Sequence, residues 1–248
     1  VRGLYFDSIV QRALKSFPKS KYVFAHPFIS NPEAQLKRND ILDTSGFCSY
    51  KLKNVGQIFY AHDTTKNKFY HFGTKKELLG TVKIEADFDP IEMAIANHGS
   101  VLIYVPKSHI YDKTIYTQFN KYISMCTPIT DQEALSMIDQ LKSYIGASDK
   151  EANFYNSDML EKLKHGIVVH HGSMPLTARL ILEHFTQKGF CRICFATSTL
   201  EQGINMPFDV VYLDRFEASK SLSVKNLIGR AGRSTKEKKF DYGSVVIR

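Results

Sequence analysis

The sequence of 248 residues contains no tryptophan, only four cysteines and no long apolar segment. A membrane-spanning helix needs about twenty apolar residues in a row, so the sequence predicts no membrane partner. Four unevenly spaced cysteines do not form a disulfide framework, and free thiols indicate a reducing, cytoplasmic location. Cys191 and Cys194 form a C-x-x-C in a predicted strand, where residues three apart point to opposite faces and cannot share zinc. We therefore predict no metal site.

Basic residues are in excess, because Lys and Arg number 33 and Asp and Glu number 25, which gives a formal net charge of +8. This balance excludes an acidic disordered chain and favours a polyanionic partner, although a moderate excess can also serve solubility alone. The chain opens with V-R-G-L-Y-F-D, without an initiator methionine or a signal peptide. We expect it to be part of a longer protein.

The first part of the chain contains two zones of different pattern. Residues 1–39 show helically spaced apolar residues up to Pro18, followed by a short apolar segment at 21–25 that predicts a strand. Residues 40–90 are rich in aromatic and β-branched residues and predict an antiparallel β-rich appendage with a hairpin turn at 64–67.

Residues 91–248 alternate short apolar strands with helical segments, which is typical of a parallel α/β sheet that helices cover on both faces. Strands are predicted at 101–105, 167–171, 191–197, 209–214 and 244–248, and helices around 109–123, 131–145, 151–164, 175–188 and 222–230. Ligands of such sheets bind beyond the carboxyl ends of the strands, so we expect the functional residues there.

The segment Asn226–Arg233, N-L-I-G-R-A-G-R, begins on a predicted helix and continues into a loop. Arg230 and Arg233 are three residues apart and would lie on one side of a helical turn, and their planar guanidinium groups suit phosphate oxygens. Gly229 and Gly232 allow the backbone to approach a ligand. A basic helix end with a glycine cap would explain one glycine and one arginine, but not the repeated pair.

This segment resembles the last conserved motif of the DExD/H-box helicases of superfamily 2, Q-x-x-G-R-x-G-R, with Asn226 in the place of glutamine. The resemblance implies the C-terminal RecA-like lobe of a DExH-type helicase. In such a lobe Arg230 and Arg233 would be the catalytic arginine fingers on the γ-phosphate of ATP. Asn226 and Gly229 would then lie beside the nucleotide.

A second segment, A-T-S-T-L-E-Q-G-I-N-M-P from Ala196 to Pro207, is similar to motif V of the same family. The resemblance implies that Thr197 contacts a nucleic-acid phosphate. It also implies that Gly203 and Asn205 belong to the ATP site in the cleft between two lobes.

A third segment, H-H-G-S-M-P-L-T-A-R, is similar to the family's segment in which a strand end and a helix N-terminus hold the nucleic-acid backbone. Gly172 and Arg179 would make these contacts. The strand at 101–108 resembles motif IV, which implies further backbone contacts from Lys107 and Ser108.

Residues 23–33 resemble the end of the family's first lobe. We therefore interpret residues 1–39 as a remnant of that lobe, residues 40–90 as a β-rich insertion and residues 91–248 as the C-terminal lobe.

The chain contains no G-x-x-x-x-G-K-[ST] segment and no D-E-x-[DH] segment, which in this family hold the nucleotide phosphates and Mg²⁺. The resemblance implies that the complete protein binds ATP and Mg²⁺ and is an ATP-dependent helicase. Its partners would be the missing N-terminal lobe and single-stranded RNA or DNA, and this piece alone would be inactive. Two alternatives stay open: a nucleic-acid-binding clamp that no longer hydrolyses ATP, and an unrelated α/β domain that binds a phosphorylated ligand.

Overall fold

The computed structural model describes residues 2–24, 33–41, 46, 56–72, 84–146, 158–197, 206–215, 221–233 and 241–248. The chain divides into two compact units, residues 1–54 and 55–248. Two predicted site residues, Gly203 and Asn205, lie outside the described residues. The predicted division at residues 39/40 and 90/91 stays a prediction.

The first unit contains helix α1, Arg2–Ser16, and helix α2, Glu33–Arg38. The predicted helix before Pro18 is therefore confirmed. The predicted strand at 21–25 is wrong for residues 21–24, which form no strand, and the side chain of Val23 is 82% exposed. An apolar segment becomes a strand only when a neighbouring strand pairs with its backbone, and local composition cannot supply that neighbour.

The second unit contains the described strands and the remaining described helices. The strands are β1 (Gly56–Asp63), β2 (Lys68–Phe72), β3 (Ile84–Glu85), β4 (Val101–Tyr104), β5 (Ile167–His170), β6 (Ile193–Ala196), β7 (Val210–Leu213) and β8 (Tyr242–Ile247). The helices are α3 (Pro90–Ala96), α4 (Lys107–Tyr111), α5 (Thr114–Gln118), α6 (Asn120–Ile123), α7 (Gln132–Ile145), α8 (Asp158–Leu163), α9 (Leu176–Gln187) and α10 (Ser221–Ile228). None of the described helices is both long and apolar enough to cross a bilayer.

The strands form one sheet in the order β3-β2-β1-β8-β7-β4-β6-β5. All neighbours from β1 to β5 in this order are parallel, whereas β2 and β3 are antiparallel additions at one edge. The predicted RecA-like α/β class with a β-rich appendage is therefore confirmed. The predicted hairpin also exists, and it continues the main sheet because β1 pairs in parallel with β8.

The central strands are apolar on both faces. Leu102, Val168 and Cys194 pack into one cluster, with Leu141 and Leu182 from the helices. The residues next to them in the strands pack into a second cluster on the opposite face, and these are Val101, Ile103, Ile167, Ile193 and Phe195, with Ile91 and Ile115 from the helices. Successive strand residues point to opposite faces, so helices must cover both sides of this sheet.

Two local predictions differ from the structure. The helix predicted around 109–123 is broken into α4, α5 and α6, with Lys113 in the left-handed region at φ 61°. Helix α3 was not predicted, although Asp89 caps it by accepting hydrogen bonds from the Ile91 and Glu92 amides at 2.9 and 3.2 Å. An aspartate followed by proline is a helix-start signal that also occurs in turns.

The prediction that Cys191 and Cys194 lie on one strand is wrong. Strand β6 begins at Ile193, so Cys191 precedes it and does not follow its alternation. Both cysteines are buried in the same apolar cluster as free thiols. A hydrogen bond with Cys191, reinforced by burial, raises the pKa of the Cys194 thiol well above its ordinary value.

Position 243, at the start of β8, requires a glycine because the backbone of Ala231 and Gly232 passes close to it. A Cβ atom there would lie 2.3 Å from both the Ala231 carbonyl carbon and the Gly232 nitrogen. We expect Gly243→Ala to lower the free energy of unfolding by about 3 kcal/mol, because backbone cannot yield as a flexible side chain does. Urea denaturation measures this loss.

Gly56→Ala is the matched control for this prediction, because Gly56 lies on the neighbouring strand and its added Cβ would meet nothing closer than 3.9 Å. Equal stability of the two variants would contradict the close approach.

Candidate functional site

The carboxyl ends of four strands are joined by backbone hydrogen bonds. The Thr197 amide donates to the His170 carbonyl at 3.3 Å, and the Val105 amide donates to the Ala196 carbonyl at 2.9 Å. The Asp214 amide donates to the Tyr104 carbonyl at 3.1 Å. These bonds bring the chain segments that follow β4, β5, β6 and β7 together at the carboxyl ends of the strands.

Four of the five predicted nucleic-acid contacts lie directly beyond these strand ends. Lys107, Ser108 and Gly172 are exposed, whereas Thr197 is buried and holds its position through its backbone. Two segments from separate parts of the chain, the start of α4 and the loop after β5, therefore present a lysine, a serine and a glycine to solvent at the same end of the sheet. This arrangement can bind a phosphate backbone, because such contacts need donors and no base recognition.

The fifth predicted contact, Arg179, lies in the first turn of α9. Its Nε atom is buried, and no hydrogen-bond acceptor lies within reach of it among the residues that the structure describes. Pro175 forms the N-cap of α9 and supplies no side-chain hydrogen bond to the first amides. A helix start with open amides and a nearby arginine is suited to an anion.

His170 is buried and lies within hydrogen-bond distance of Glu183 in the middle of α9. Its Nε2 atom lies 3.2 Å from Glu183 Oε1, and its side chain is fully buried. Burial lowers the pKa of His170, Glu183 opposes that shift, and Arg179 and His171 add to it. The histidine therefore favours its neutral form at pH 7 and contributes position rather than charge.

The arginine segment lies elsewhere, at the amino ends of β7 and β8. The Phe208 amide donates to the Arg230 carbonyl at 3.3 Å, and the Gly232 amide donates to the Phe208 carbonyl at 2.8 Å. Phe208 precedes β7, so the expectation that all functional residues lie at the carboxyl ends is wrong for this segment. Because β7 and β8 are parallel, helix α10 between them runs back along the sheet. The loop after α10 therefore lies at the amino ends of the strands.

The sequence contains no signal for the residue that holds this loop. Gln57 of β1 donates its side-chain amide to the Ile228 carbonyl at 2.8 Å and to the Ala231 carbonyl at 3.2 Å. Gly243 of β8 lets the same loop pass against the sheet. A lone glutamine in a strand gives no signal of this contact, since its partners lie more than 170 residues further along the chain.

The two predicted catalytic arginines differ in exposure. Arg230 is only 3% exposed, whereas Arg233 is exposed. Burial, and then the charge of Arg233, lower the pKa of Arg230 to about 10, while Cys194 and Glu183 act in the opposite direction. Arg230 still carries its charge at pH 7.

The remaining nucleotide-site predictions lie on or beside α10. Asn226 is half-buried near the C-terminal end of the helix, and Gly229 is exposed directly after it. A Cβ atom on Gly229 would lie 3.2 Å from the Lys225 carbonyl oxygen. Within the described part of the chain, no group of three His, Cys, Asp or Glu residues could hold a metal ion.

Comparison with known proteins identifies part of the chain. Residues 133–235 match the family model of the helicase conserved C-terminal domain. The ATP-dependent DNA helicase Hel308 of Thermoplasma volcanium is 30% identical over 242 residues, which are 94% of this chain and 31% of that relative. The chain therefore contains a helicase C-terminal lobe of the RecA-like α/β class, similar to the lobes of superfamily 2 helicases.

Other relatives of the helicase lobe act on different nucleic acids according to their names. The DExH-box ATP-dependent RNA helicase DExH13 of Arabidopsis thaliana is 25% identical over 94% of this chain and 11% of its own length. Hel308 of Pyrococcus horikoshii is 32% identical over 35% of this chain and 13% of its own length. The chain thus spans less than a third of each of these relatives.

The buried His170 makes the stability of the helicase lobe depend on pH. Its folded pKa is lowered, so the unfolded chain binds the proton more readily, and stability is lost as the pH falls from about 6.5 through the folded pKa. We expect the melting temperature to fall between pH 7.5 and pH 5.5, and His170→Gln to make that fall smaller. Thermal denaturation at each pH checks this.

His184→Gln is the control for the pH experiment, because His184 is an exposed histidine on α9, the helix that carries Glu183, the partner of His170. His62 and His171 also have pKa values lowered by burial, so part of the acid sensitivity remains in both variants. An identical pH dependence in the wild type and His170→Gln would contradict this role of His170.

Proposed function

We propose that this chain is the C-terminal motor lobe of an ATP-dependent nucleic-acid helicase. In this proposal the carboxyl ends of β4, β5 and β6 hold the backbone of a single strand. The observation that carries it is the convergence of Lys107, Gly172 and Thr197 beside the start of α9. The buried Nε of Arg179, with no acceptor in reach among the described residues, supports a phosphate at this position.

The arginine segment forms the second half of the proposal. Arg230 and Arg233 would act on the γ-phosphate of ATP held by a separate N-terminal lobe, which would also bind Mg²⁺. Arg233 is exposed and can meet such a lobe directly, whereas the buried Arg230 would need a shift of the loop. Asn226 and Gly229, together with Gly203 and Asn205, would line the nucleotide side of the same cleft.

Two features concern ATP hydrolysis by this chain alone and the conditions in which its thiols stay reduced. It carries no G-x-x-x-x-G-K-[ST] segment, so the 248 residues alone would not hydrolyse ATP. Cys126, Cys191 and Cys194 are buried free thiols, which suit the reducing conditions of the cytoplasm.

The strand-binding proposal predicts salt-dependent binding of single strands. We expect the 248-residue chain to bind fluorescein-labelled oligouridylate or oligothymidylate at low salt and to lose it between about 50 and 200 mM salt. Lys107→Ala should reduce the slope of log K against log salt by about 0.7, the value for one single-strand phosphate contact. Fluorescence anisotropy measures both quantities.

Lys66→Ala is the matched control, because it removes the same charge from the exposed hairpin turn after β1, and β8 and β7 lie between β1 and β4 in the sheet. If both variants change the slope equally, the binding is a diffuse charge effect and the proposed site is wrong. Comparison of the two oligonucleotides also shows whether the lobe prefers RNA or DNA.

The arginine proposal predicts a selective loss of turnover. In a protein that joins this lobe to one carrying the phosphate loop, Arg233→Ala should lower kcat by about 10²–10³-fold, because charge that develops on the phosphate loses its partner. Strand affinity should stay within about twofold. Arg233→Lys should recover only part of the rate, since lysine lacks the planar fork.

Lys225→Ala removes a neighbouring exposed cation from α10 and controls for general charge effects. Equal losses of turnover and strand binding in Arg233→Ala would indicate a folding defect. Strand binding without ATP turnover by the wild-type joined protein would favour the non-hydrolysing clamp.

A further inference from the structure

Tyr111, the last residue of α4, exposes a large aromatic ring next to the proposed backbone contacts. Its side chain is 58% exposed, whereas Tyr60, Tyr122 and Tyr212 in the same unit are almost completely buried. The exposed part of this ring gains none of the free energy that burial gives the other three. Packing therefore accounts for only part of this side chain.

The orientation of the Tyr111 ring is fixed by two residues on the loop after β5 and by a lysine one turn earlier in α4. Its hydroxyl donates to Ser173 Oγ at 3.1 Å, and its centroid lies 5.7 Å from that of His171 at an interplanar angle of 54°. Lys107 Nζ lies 5.3 Å from the ring centroid. The ring thus bridges the segment after β4 and the segment after β5, both of which carry proposed phosphate contacts.

The groups around the Tyr111 ring suit a nucleotide, because an uncharged imidazole lies beside the ring and a lysine lies close enough to meet a phosphate. Burial lowers the pKa of His171, and the nearby Lys107 lowers it further, so the imidazole beside Tyr111 favours its neutral form at pH 7. Lys107 is exposed on a flexible stem and can leave the ring to meet a phosphate. An oriented, uncharged aromatic pair beside a mobile cation is the combination that single-strand-binding proteins use.

We propose that Tyr111 is a base-stacking platform for the single strand whose phosphates Lys107 and Gly172 contact. This inference rests on the proposed function and adds a contact to the bases. Stacking accepts any base, because each has a flat π face, so the platform would hold a strand without reading its sequence. In a duplex these faces are already covered, so the platform would also favour single strands over duplexes.

The absence of tryptophan from the chain allows a direct test. Tyr111→Trp places the only indole of the 248-residue chain at the proposed platform. We expect its fluorescence to be quenched by oligothymidylate and much less by an abasic strand of equal length, which has the same phosphates and no bases. Tyr242→Trp is the control, because Tyr242 is 52% exposed at the amino end of β8.

Two further variants separate the ring from its hydroxyl. Tyr111→Phe should bind oligothymidylate within about twofold of the wild type, and Tyr111→Ala should bind about tenfold more weakly, since one stacked base contributes roughly that factor. For the abasic strand, Tyr111→Ala and the wild type should bind alike.

Equal quenching of Tyr111→Trp by the two strands, with strand binding intact in anisotropy, would overturn the platform and leave the proposed function standing. An equal loss of affinity for both strands in Tyr111→Ala would also overturn it, because such a loss would reflect misplaced backbone contacts. Failure of the wild-type chain to bind any single strand at low salt would overturn the proposed function and this inference together.

Discussion

The parallel sheet of this protein is buried on both faces, and the positions of the proposed sites follow from that constraint. Leu102 and Cys194 point to one apolar cluster, and Ile103 and Phe195 point to the other. Polar groups cannot leave such a sheet through its faces, because a buried polar group without a partner is costly. They therefore collect at the two ends of the strands, and the proposed functions lie there.

The two ends of the sheet carry different chemistry. The carboxyl ends present a lysine, open helix amides and an oriented tyrosine, which suit a flexible phosphate chain with bases. The amino ends of β7 and β8 present the paired arginines, which suit a single compact phosphate group. Glu183 acts on a residue of each region, since it contacts His170 and its charge favours a higher pKa of Arg230.

The β-rich edge supports the arginine segment and does not form a separate body from the parallel strands. Strand β1 pairs with β8, and this pairing places Gln57 opposite Gly243. The glutamine donates hydrogen bonds to two carbonyls of the arginine loop, and the glycine leaves space for the backbone of that loop. The aromatic residues Tyr60 and Phe69 of the hairpin are buried in the core, which explains why this region is rich in such residues.

The sequence by itself determined the strand and helix alternation, the two-sided burial and the residues beyond β4, β5 and β6, because each depends on neighbours close along the chain. Only the tertiary structure decided the hydrogen bonds from Gln57 to the arginine loop and the hydrogen bond from Tyr111 to Ser173. It also decided the shared cluster of Cys191 and Cys194, and the opposite ends occupied by Lys107 and Arg233. These features depend on which strands pair and in what register, and no local pattern of apolar residues encodes that choice.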